Sequence, residues 1–385
     1  MVYSIEAEYI LPLLLTFGVS FALCSVFALA PNLFLSEEHM NNDLNARQAQ
    51  HKRPTPRIGG VGVVLGLLIT SIIYFHQLQT DLILALVASG LVFMVGLRED
   101  IKRDMSPKVR LIAAFVSGGL AMLLTGIVLP RAGLPYLDSV IGISLFGVLL
   151  TLLWSAGACH ALNLIDGLNG LASGYSMMAS LAFFVIAGFT GDHDVQFISG
   201  VLTGALLGFF ILNWPRGYLF LGDAGAYAIG HILAWLGMIL LSRNPEGTGL
   251  AVLLVLFWPV ADTAFAIVRR RLLEKDTDQP DRLHFHHLVV RALRLMFGRR
   301  IKSDFYNPLG TLVLLPFVAA PIVAGTLSWQ NGPLSLFFLI FFGALFVGSY
   351  VLSVIFFRSR KFRSRDFTKP LIAKPEARPI EVSEM

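Results

Sequence analysis

Asn163-Leu164-Ile165-Asp166-Gly167-Leu168-Asn169-Gly170-Leu171-Ala172-Ser173-Gly174 brings together one carboxylate, two amides and three glycines between two long apolar runs. It contains no Lys or Arg. Glycines let backbone N–H groups approach a ligand and form concavities that cradle anions. Asp166 beside them can hold a metal ion or a hydroxyl. The same composition also serves as a polar turn joining two helices, so the remaining polar clusters have to decide between the two.

Four other clusters carry groups of the same kind. They are Arg53-Pro54-Thr55-Pro56-Arg57-Ile58-Gly59-Gly60, Glu99-Asp100 with the basic residues that follow to Arg110, Asn213-Trp214-Pro215 running on to Phe220-Leu221-Gly222-Asp223-Ala224-Gly225-Ala226-Tyr227, and Arg282-Leu283-His284-Phe285-His286-His287. Glu99, Asp100, Asp166 and Asp223 are hard oxygen ligands of the kind Mg²⁺ prefers. Glycine turns ahead of helix starts suit phosphates, and Arg and His supply donors for a diphosphate. Together these types point to Mg²⁺-assisted phosphoryl transfer, with Mn²⁺ as a substitute ion.

The elements that must position these groups are transmembrane helices. The chain has 385 residues, 55% hydrophobic and 14% charged, with a mean hydropathy of +0.70. A soluble domain would carry nearly twice that charge. Apolar runs of about 17–25 residues recur, long enough to cross ~30 Å of hydrocarbon. Leu-, Phe- and Ala-rich runs without strand alternation argue against a barrel. The sequence therefore predicts an all-α, polytopic integral membrane protein. Its eleven spans lie near 8–30, 59–75, 81–97, 111–129, 140–158, 173–190, 195–212, 223–242, 249–268, 308–328 and 333–357. The first run lacks a basic leading region and a clear cleavage site, so it reads as a retained helix. Residues 1–357 form one transmembrane catalytic domain in this reading, and 358–385 a basic, disordered tail. Two cysteines, Cys24 and Cys159, are too few for a disulfide framework or a cysteine metal site.

Of the 30 Lys and Arg, only Arg131 and Arg243 fall in loops after even-numbered spans, and none falls inside a span. The positive-inside rule then puts the N-terminus outside and the odd-numbered loops and C-terminal tail in the cytoplasm. All five polar clusters meet that one face. Such convergence favours a ligand site over a set of turns. So much membrane around so little soluble protein points to a lipid as nucleophile or product, and nothing in the sequence calls for nucleic acid.

Each cluster also has a plainer use. Glu99 to Asp104 could be a solvated helix end. The histidines could bind zinc, but no cysteine helps them, and the adjacent His286 and His287 point in different directions on a helix. Asp262, seven residues before Arg269 in the ninth run, should face a polar interior, because a carboxylate at mid-bilayer costs about 2.5–3.5 kcal/mol on insertion scales; a supporting role in the site is the reading preferred for it. Arg53 to Gly60 serves equally as a turn leading into a helix.

The motifs and their order resemble the polyprenyl-phosphate N-acetylhexosamine-1-phosphate transferases, the group that includes phospho-N-acetylmuramoyl-pentapeptide transferase, over roughly residues 53–300. Asn163-x-x-Asp166-Gly167-x-Asn169-Gly170-Leu171-Ala172 is similar to that family's nucleotide-sugar motif, which implies substrate contacts at Asn163, Asn169 and Gly170. Phe220 to Gly225 resembles its magnesium motif and implies Asp223 as a metal ligand, with Asp100 beside it. Arg282-x-His284-x-His286-His287 resembles the histidine motif of the branch that uses simple UDP-amino sugars, and implies substrate binding by those four residues. The resemblance implies catalytic roles for Glu99, Asp100 and Asp166. It implies transfer of a sugar 1-phosphate from a UDP-N-acetylhexosamine to undecaprenyl phosphate with release of UMP, at the cytoplasmic face of a bacterial inner membrane. A homodimer is the assembly considered. The chain departs from the family pattern at Glu99, where the family has a second Asp in its pair, at Asn169, where it has Asp, and at Ala226, where Ser is frequent.

A transporter or flippase of lipid-linked sugars is the rival reading. It predicts polar residues at the bilayer midplane and an internal repeat, and the sequence has neither feature. The CDP-alcohol phosphatidyltransferases would show a different pattern of aspartates on adjoining helix turns.

Overall fold

The computed structural model describes residues 7–34, 55–272 and 283–358. Among them there is helix and no strand. In chain order the helices are α1 (Ala7–Leu29), α2 (Gly59–Ile73), α3 (Thr80–Lys102), α4 (Pro107–Thr125), a short α5 (Pro135–Ile141), α6 (Ser144–Ile165), α7 (Leu171–Thr190), α8 (His193–Asn213), α9 (Gly222–Arg243), α10 (Gly249–Val255), α11 (Phe257–Leu272), α12 (Phe285–Phe297), α13 (Tyr306–Leu327) and α14 (Gly332–Arg358).

Local chemistry sets several of the boundaries. Ser106 caps α4 by accepting from the Val109 N–H at 3.3 Å, and Pro107 follows at the first helical position, where its missing N–H costs nothing. Thr248 caps α10 through the Ala251 N–H at 3.1 Å. Gly126 ends α4 in the left-handed region.

Among the described residues nine helices are long and apolar enough to cross a membrane, or ten if α10 and α11 are one span. The protein is thus an all-helical, multi-pass membrane protein. Two of the eleven expected spans differ from simple crossings. The run over 59–75 yields α2, whose 15 residues reach about 22 Å at ~1.5 Å per residue; Tyr74 and Phe75 continue the apolar composition but leave the helix. The run over 249–268 is broken into α10 and α11, bent by 84° at Leu256. Pro259 explains the break. It has no N–H to give the Val255 carbonyl, and its ring crowds that carbonyl.

The chain divides into two units, residues 1–343 and 344–385. The described part of the second is the C-terminal half of α14. In the first unit α9 is the axis. Its apolar window is entirely buried, and it packs on α2, α3, α6 and α7. Small residues allow this. A Cβ on Gly96 of α3 would stand 2.6 Å from the Ala224 nitrogen, and one on Gly60 of α2 would overlap Gly225. Large apolar side chains on α1, α4 and α8, such as Leu11, Leu123 and Ile211, face outward, as a lipid-contacting surface requires.

Both ends of α9 carry charge. At the C-terminal end, Arg243 donates to Asp192 and Asp194 at 2.7 Å each and to Asp81 at 2.5 Å. Arg131, nearby in sequence order to no other cation, donates to the Gly247 and Leu241 carbonyls at 2.9 and 2.8 Å and also to that of Asn244. The only two basic residues in the loops after even-numbered spans are thus both engaged by the protein itself.

Candidate active site

The N-terminal end of α9 gathers the other charges. Asp223, in the first turn of α9, is buried. Its Oδ1 accepts from Arg57 Nη2 and from Asn163 Nδ2, both at 3.1 Å. Its Oδ2 accepts from Arg110 Nη1 at 2.6 Å. Three segments far apart in sequence therefore converge on one carboxylate.

Asp100, near the end of α3, acts on the same helix end. Leu221, which precedes α9, offers no side-chain cap. Asp100 supplies it from outside, its Oδ1 accepting from the Asp223 N–H at 2.9 Å and its Oδ2 from the Ala224 N–H at 2.8 Å. A carboxylate at a helix N-terminus also meets the positive end of the macrodipole. Gly222 is obligatory here: its φ is +77°, and a Cβ would run into Asp100 Oδ2. The segment before α2 is tied to the same place, since Gly59 and Gly60 donate to the Phe220 and Leu221 carbonyls at 2.9 and 2.8 Å. Arg57 is held there, with Nε 3.9 Å from Asp100 Oδ1.

Asp166 follows the end of α6 and is half-buried. Burial of the carboxyl lifts it to about 7; Arg57 opposes that rise and Asp223 adds to it. Asp100, Asp166 and Asp223 thus share one electrostatic neighbourhood, with Arg57 among them. Glu99 stands at its edge. Its Oε2 accepts from the Met105 N–H at 3.0 Å, and its Oε1 lies 3.8 Å from Arg110 Nη1.

The histidine motif meets the Asn163–Gly174 stretch at Gly167, where an added Cβ would overlap His286 Nε2. His284 and His286 are buried, with rings 5.8 Å apart and nearly parallel, and His287 lies 4.2 Å from His286. Burial holds the His286 imidazole well below its usual range, and His287 and His284 push the same way, so it is neutral at pH 7. Asp262 stands behind His284, with Oδ2 3.0 Å from Nδ1.

Asn169 and Gly170 are tied to neighbouring segments of the protein. The Asn169 N–H donates to Asn307 Oδ1 at 2.8 Å, its carbonyl accepts from Thr311 at 2.7 Å, and its amide donates to the Pro215 carbonyl at 3.2 Å. Gly170, at φ +79°, donates to Asn213 Oδ1 at 2.5 Å. These bonds anchor the loop to α13 and to the end of α8. Arg282 lies outside the described residues.

The sequence reading did not single out Arg57, Arg110 or Asn213. Arg57 was visible within the Arg53–Gly60 cluster. Arg110 was hidden among basic residues of the usual interfacial kind. Asn213, which also donates to the Leu219 carbonyl at 2.8 Å, sat in a motif whose turn role and ligand role look alike from composition.

The donor set fits Mg²⁺. Asp223, Asp166 and Asn163 offer carboxylate and amide oxygens, and Mg²⁺ takes one or two carboxylates and completes its shell with water and phosphate oxygens. Among the described residues no three His, Cys, Asp or Glu side chains already surround a common point, so substrate oxygens would have to complete the shell.

Carboxylates with guanidinium and imidazole donors thus gather at one end of the central helix of a multi-pass helical scaffold. Residues 82–241 match the model of glycosyl transferase family 4, and the chain belongs to that family. It is 29% identical over 356 residues to the decaprenyl-phosphate N-acetylglucosaminephosphotransferase of Mycobacterium tuberculosis, covering 80% of this chain and 86% of the relative. It is 30% identical over 275 residues to the protein of that name in Mycobacterium leprae, covering 63% and 68%. It is 28% identical over 252 residues to the undecaprenyl-phosphate alpha-N-acetylglucosaminyl 1-phosphate transferase of Escherichia coli, covering 63% and 67%.

Proposed function

We propose that this enzyme transfers N-acetylhexosamine 1-phosphate from a UDP-sugar to undecaprenyl phosphate, giving a polyprenyl-diphosphate-linked sugar and UMP. What carries the reading is Asp223, a buried carboxylate joined by Arg57, Arg110 and Asn163 from three other segments. The names of its relatives share a polyprenyl phosphate, decaprenyl in one and undecaprenyl in the other, and an N-acetylglucosaminyl phosphate group. The distribution of Lys and Arg supports a site on the cytoplasmic face, the bacterial relatives support an inner membrane, and the product would begin a cell-surface glycan.

The reaction is a displacement at phosphorus. A non-bridging oxygen of the lipid phosphate forms a bond to the sugar-linked phosphorus. The bond from that phosphorus to the bridging oxygen breaks, and UMP leaves with the electron pair. The lipid phosphate has a second pKa near ~6 and is mostly dianionic at pH 7, so a dedicated base has little proton to remove. Repulsion is the larger barrier: two unit charges ~4 Å apart cost about 4 kcal/mol at an effective dielectric of ~20.

Arg57 and Arg110 are fixed cations that can meet both phosphates while staying hinged on Asp223. The asparagine at 163 and the neutral imidazole of His286 are donors for the nucleotide-sugar side. Mg²⁺ held by Asp223 and Asp166 would neutralise the diphosphate and align the attack. Asp100, with both oxygens on the α9 N-terminus, acts here by placing Asp223.

The test is a membrane or detergent assay with a panel of UDP-sugars and undecaprenyl phosphate, reading UMP and the lipid diphosphate. A UDP-N-acetylhexosamine should be turned over, chelation should stop turnover, and Mg²⁺ or Mn²⁺ should restore it. Translocation of a lipid-linked sugar with no UMP release would establish the transporter instead. A sugar-phosphate adduct trapped on Asp100 with the acceptor withheld would replace direct displacement by a two-step path.

A further inference from the structure

Asp262 belongs to none of the five polar clusters, yet it is among the most completely buried charged side chains of the described residues, 1% exposed. A carboxylate inside a membrane-spanning element is costly and persists only with partners. Its partners are both in the histidine motif. Oδ2 lies 3.0 Å from His284 Nδ1, and Oδ1 accepts from the Phe285 N–H at 3.2 Å. Phe285 is the first residue of α12, and His284, which precedes it, provides no side-chain cap.

One carboxylate therefore does two things. It caps α12 from α11, as Asp100 caps α9 from α3. It also decides the chemistry of His284, because a carboxylate oxygen can only accept, so Nδ1 must carry a hydrogen. Nε2 is then the ring atom left for a ligand. The arrangement follows the general pattern in which the partner of one imidazole nitrogen sets what the other can do.

We infer that Asp262 is the positioning residue of the histidine motif, fixing His284 with Nδ1 protonated and its Nε2 edge committed to the phosphate-bearing donor. The break at Leu256 is what makes this possible. It turns α11 by 84° from α10, and Asp262 lies on the arm that the break redirects. The part of the inference that concerns the donor rests on the transferase reading; the protonation of Nδ1 does not.

The two parts are tested separately. Histidine-selective ¹⁵N labelling of the full chain in detergent, with His284→Gln used to assign the signal, reads the proton on Nδ1 directly. A protonated Nδ1 in the wild type, altered in Asp262→Asn, is the expected result. An unprotonated Nδ1 in the wild type overturns the inference whatever the activity.

The kinetic arm is a double-mutant cycle with UDP-N-acetylglucosamine. Asp262→Asn should lower kcat/KM by about 10- to 100-fold, the size of effect seen when a metal-bound imidazole loses its carboxylate partner. Combined with His284→Gln it should add almost nothing, and Asp262→Glu should recover part of the loss. Additive effects of the two substitutions would show that Asp262 merely braces α12 and would overturn the positioning role. Absence of wild-type turnover would refute the transferase reading while the labelling result still decided the state of His284.

Discussion

The two ends of α9 use the same residue types in opposite proportions. At the C-terminal end one guanidinium, Arg243, is surrounded by Asp81, Asp192 and Asp194. At the N-terminal end one carboxylate, Asp223, is held by two guanidiniums, with Asp100 and Asp166 close by. Each arrangement suits its end of the helix macrodipole, cation at the C-terminus and carboxylates at the N-terminus. The difference lies in the loops. The Arg243 group ties the starts of α3 and α8 to the end of α9 and leads to no motif. The Asp223 group is met by the glycine turn of Asn163–Gly174 and, through Gly167, by the histidines. The first is a clasp and the second a candidate site, although both are buried ion clusters.

The largest effect that could break this distinction is on turnover. Asp223→Asn removes a charge but keeps shape and can still accept from one arginine. Turnover should fall by about 10²- to 10³-fold, the range for losing one electrostatic group in an active site, with little change in Tm. If Asp223→Asn instead lowered Tm as much as turnover, the N-terminal end would be a clasp as well.

The opposite result is expected at the other end. Arg243→Met leaves three carboxylates without their cation. Removing one partner of a buried pair costs about 3–5 kcal/mol, and Arg243 is only 17% exposed, with Asp192 at 6% and Asp194 at 3%. Part of that loss will be relieved by protonation, because burial raises Asp192 to about 6 even with Arg243 present, and Asp194 pushes the same way. The Tm in detergent should drop markedly, more at pH 8 than at pH 5.5, while protein that remains folded keeps its turnover. Loss of activity with an unchanged Tm would tie the clasp to catalysis.

Much of this was legible in the sequence. Hydropathy located the helices, and the distribution of Lys and Arg gathered the polar clusters on one face before any contact was visible. Asp223, Asp100, Asp166 and the histidines stood out because glycine turns and carboxylates are out of place between apolar runs. Two kinds of information were not legible. One is what a carboxylate touches: Asp100 caps a helix 123 residues on and Asp262 caps the helix that follows its own, and no local pattern announces a cap supplied from another helix. The other is division of labour within a motif. Asn169 and Gly170 share a stretch with Asn163 and Asp166, but the first two anchor the loop to α8 and α13, a distinction set by partners 43 and 138 residues away. The break in the ninth span was available from Pro259, yet average hydropathy runs straight across it.

The subtlest consequence concerns Asp166, whose carboxyl is lifted to about 7 mainly by burial. An unfolded Asp titrates near ~3.9. Between those values the unfolded chain has released the proton and the native chain retains it. Stability therefore falls as pH rises through that window, and the whole cost is present above about 7. Asp166→Asn has no proton to lose. It should melt a few degrees above the wild type at pH 8, with the gap shrinking as pH falls toward ~4. A residue that only braced the fold would show the reverse, with the wild type the more stable at pH 8. The same measurement sharpens the contrast between the ends of α9. If Asp166 is kept at a cost because it meets Mg²⁺, added Mg²⁺ should raise the wild-type Tm at pH 8 by mass action. It should do so less for Asp166→Asn, and the shift in Arg243→Met should equal that of the wild type.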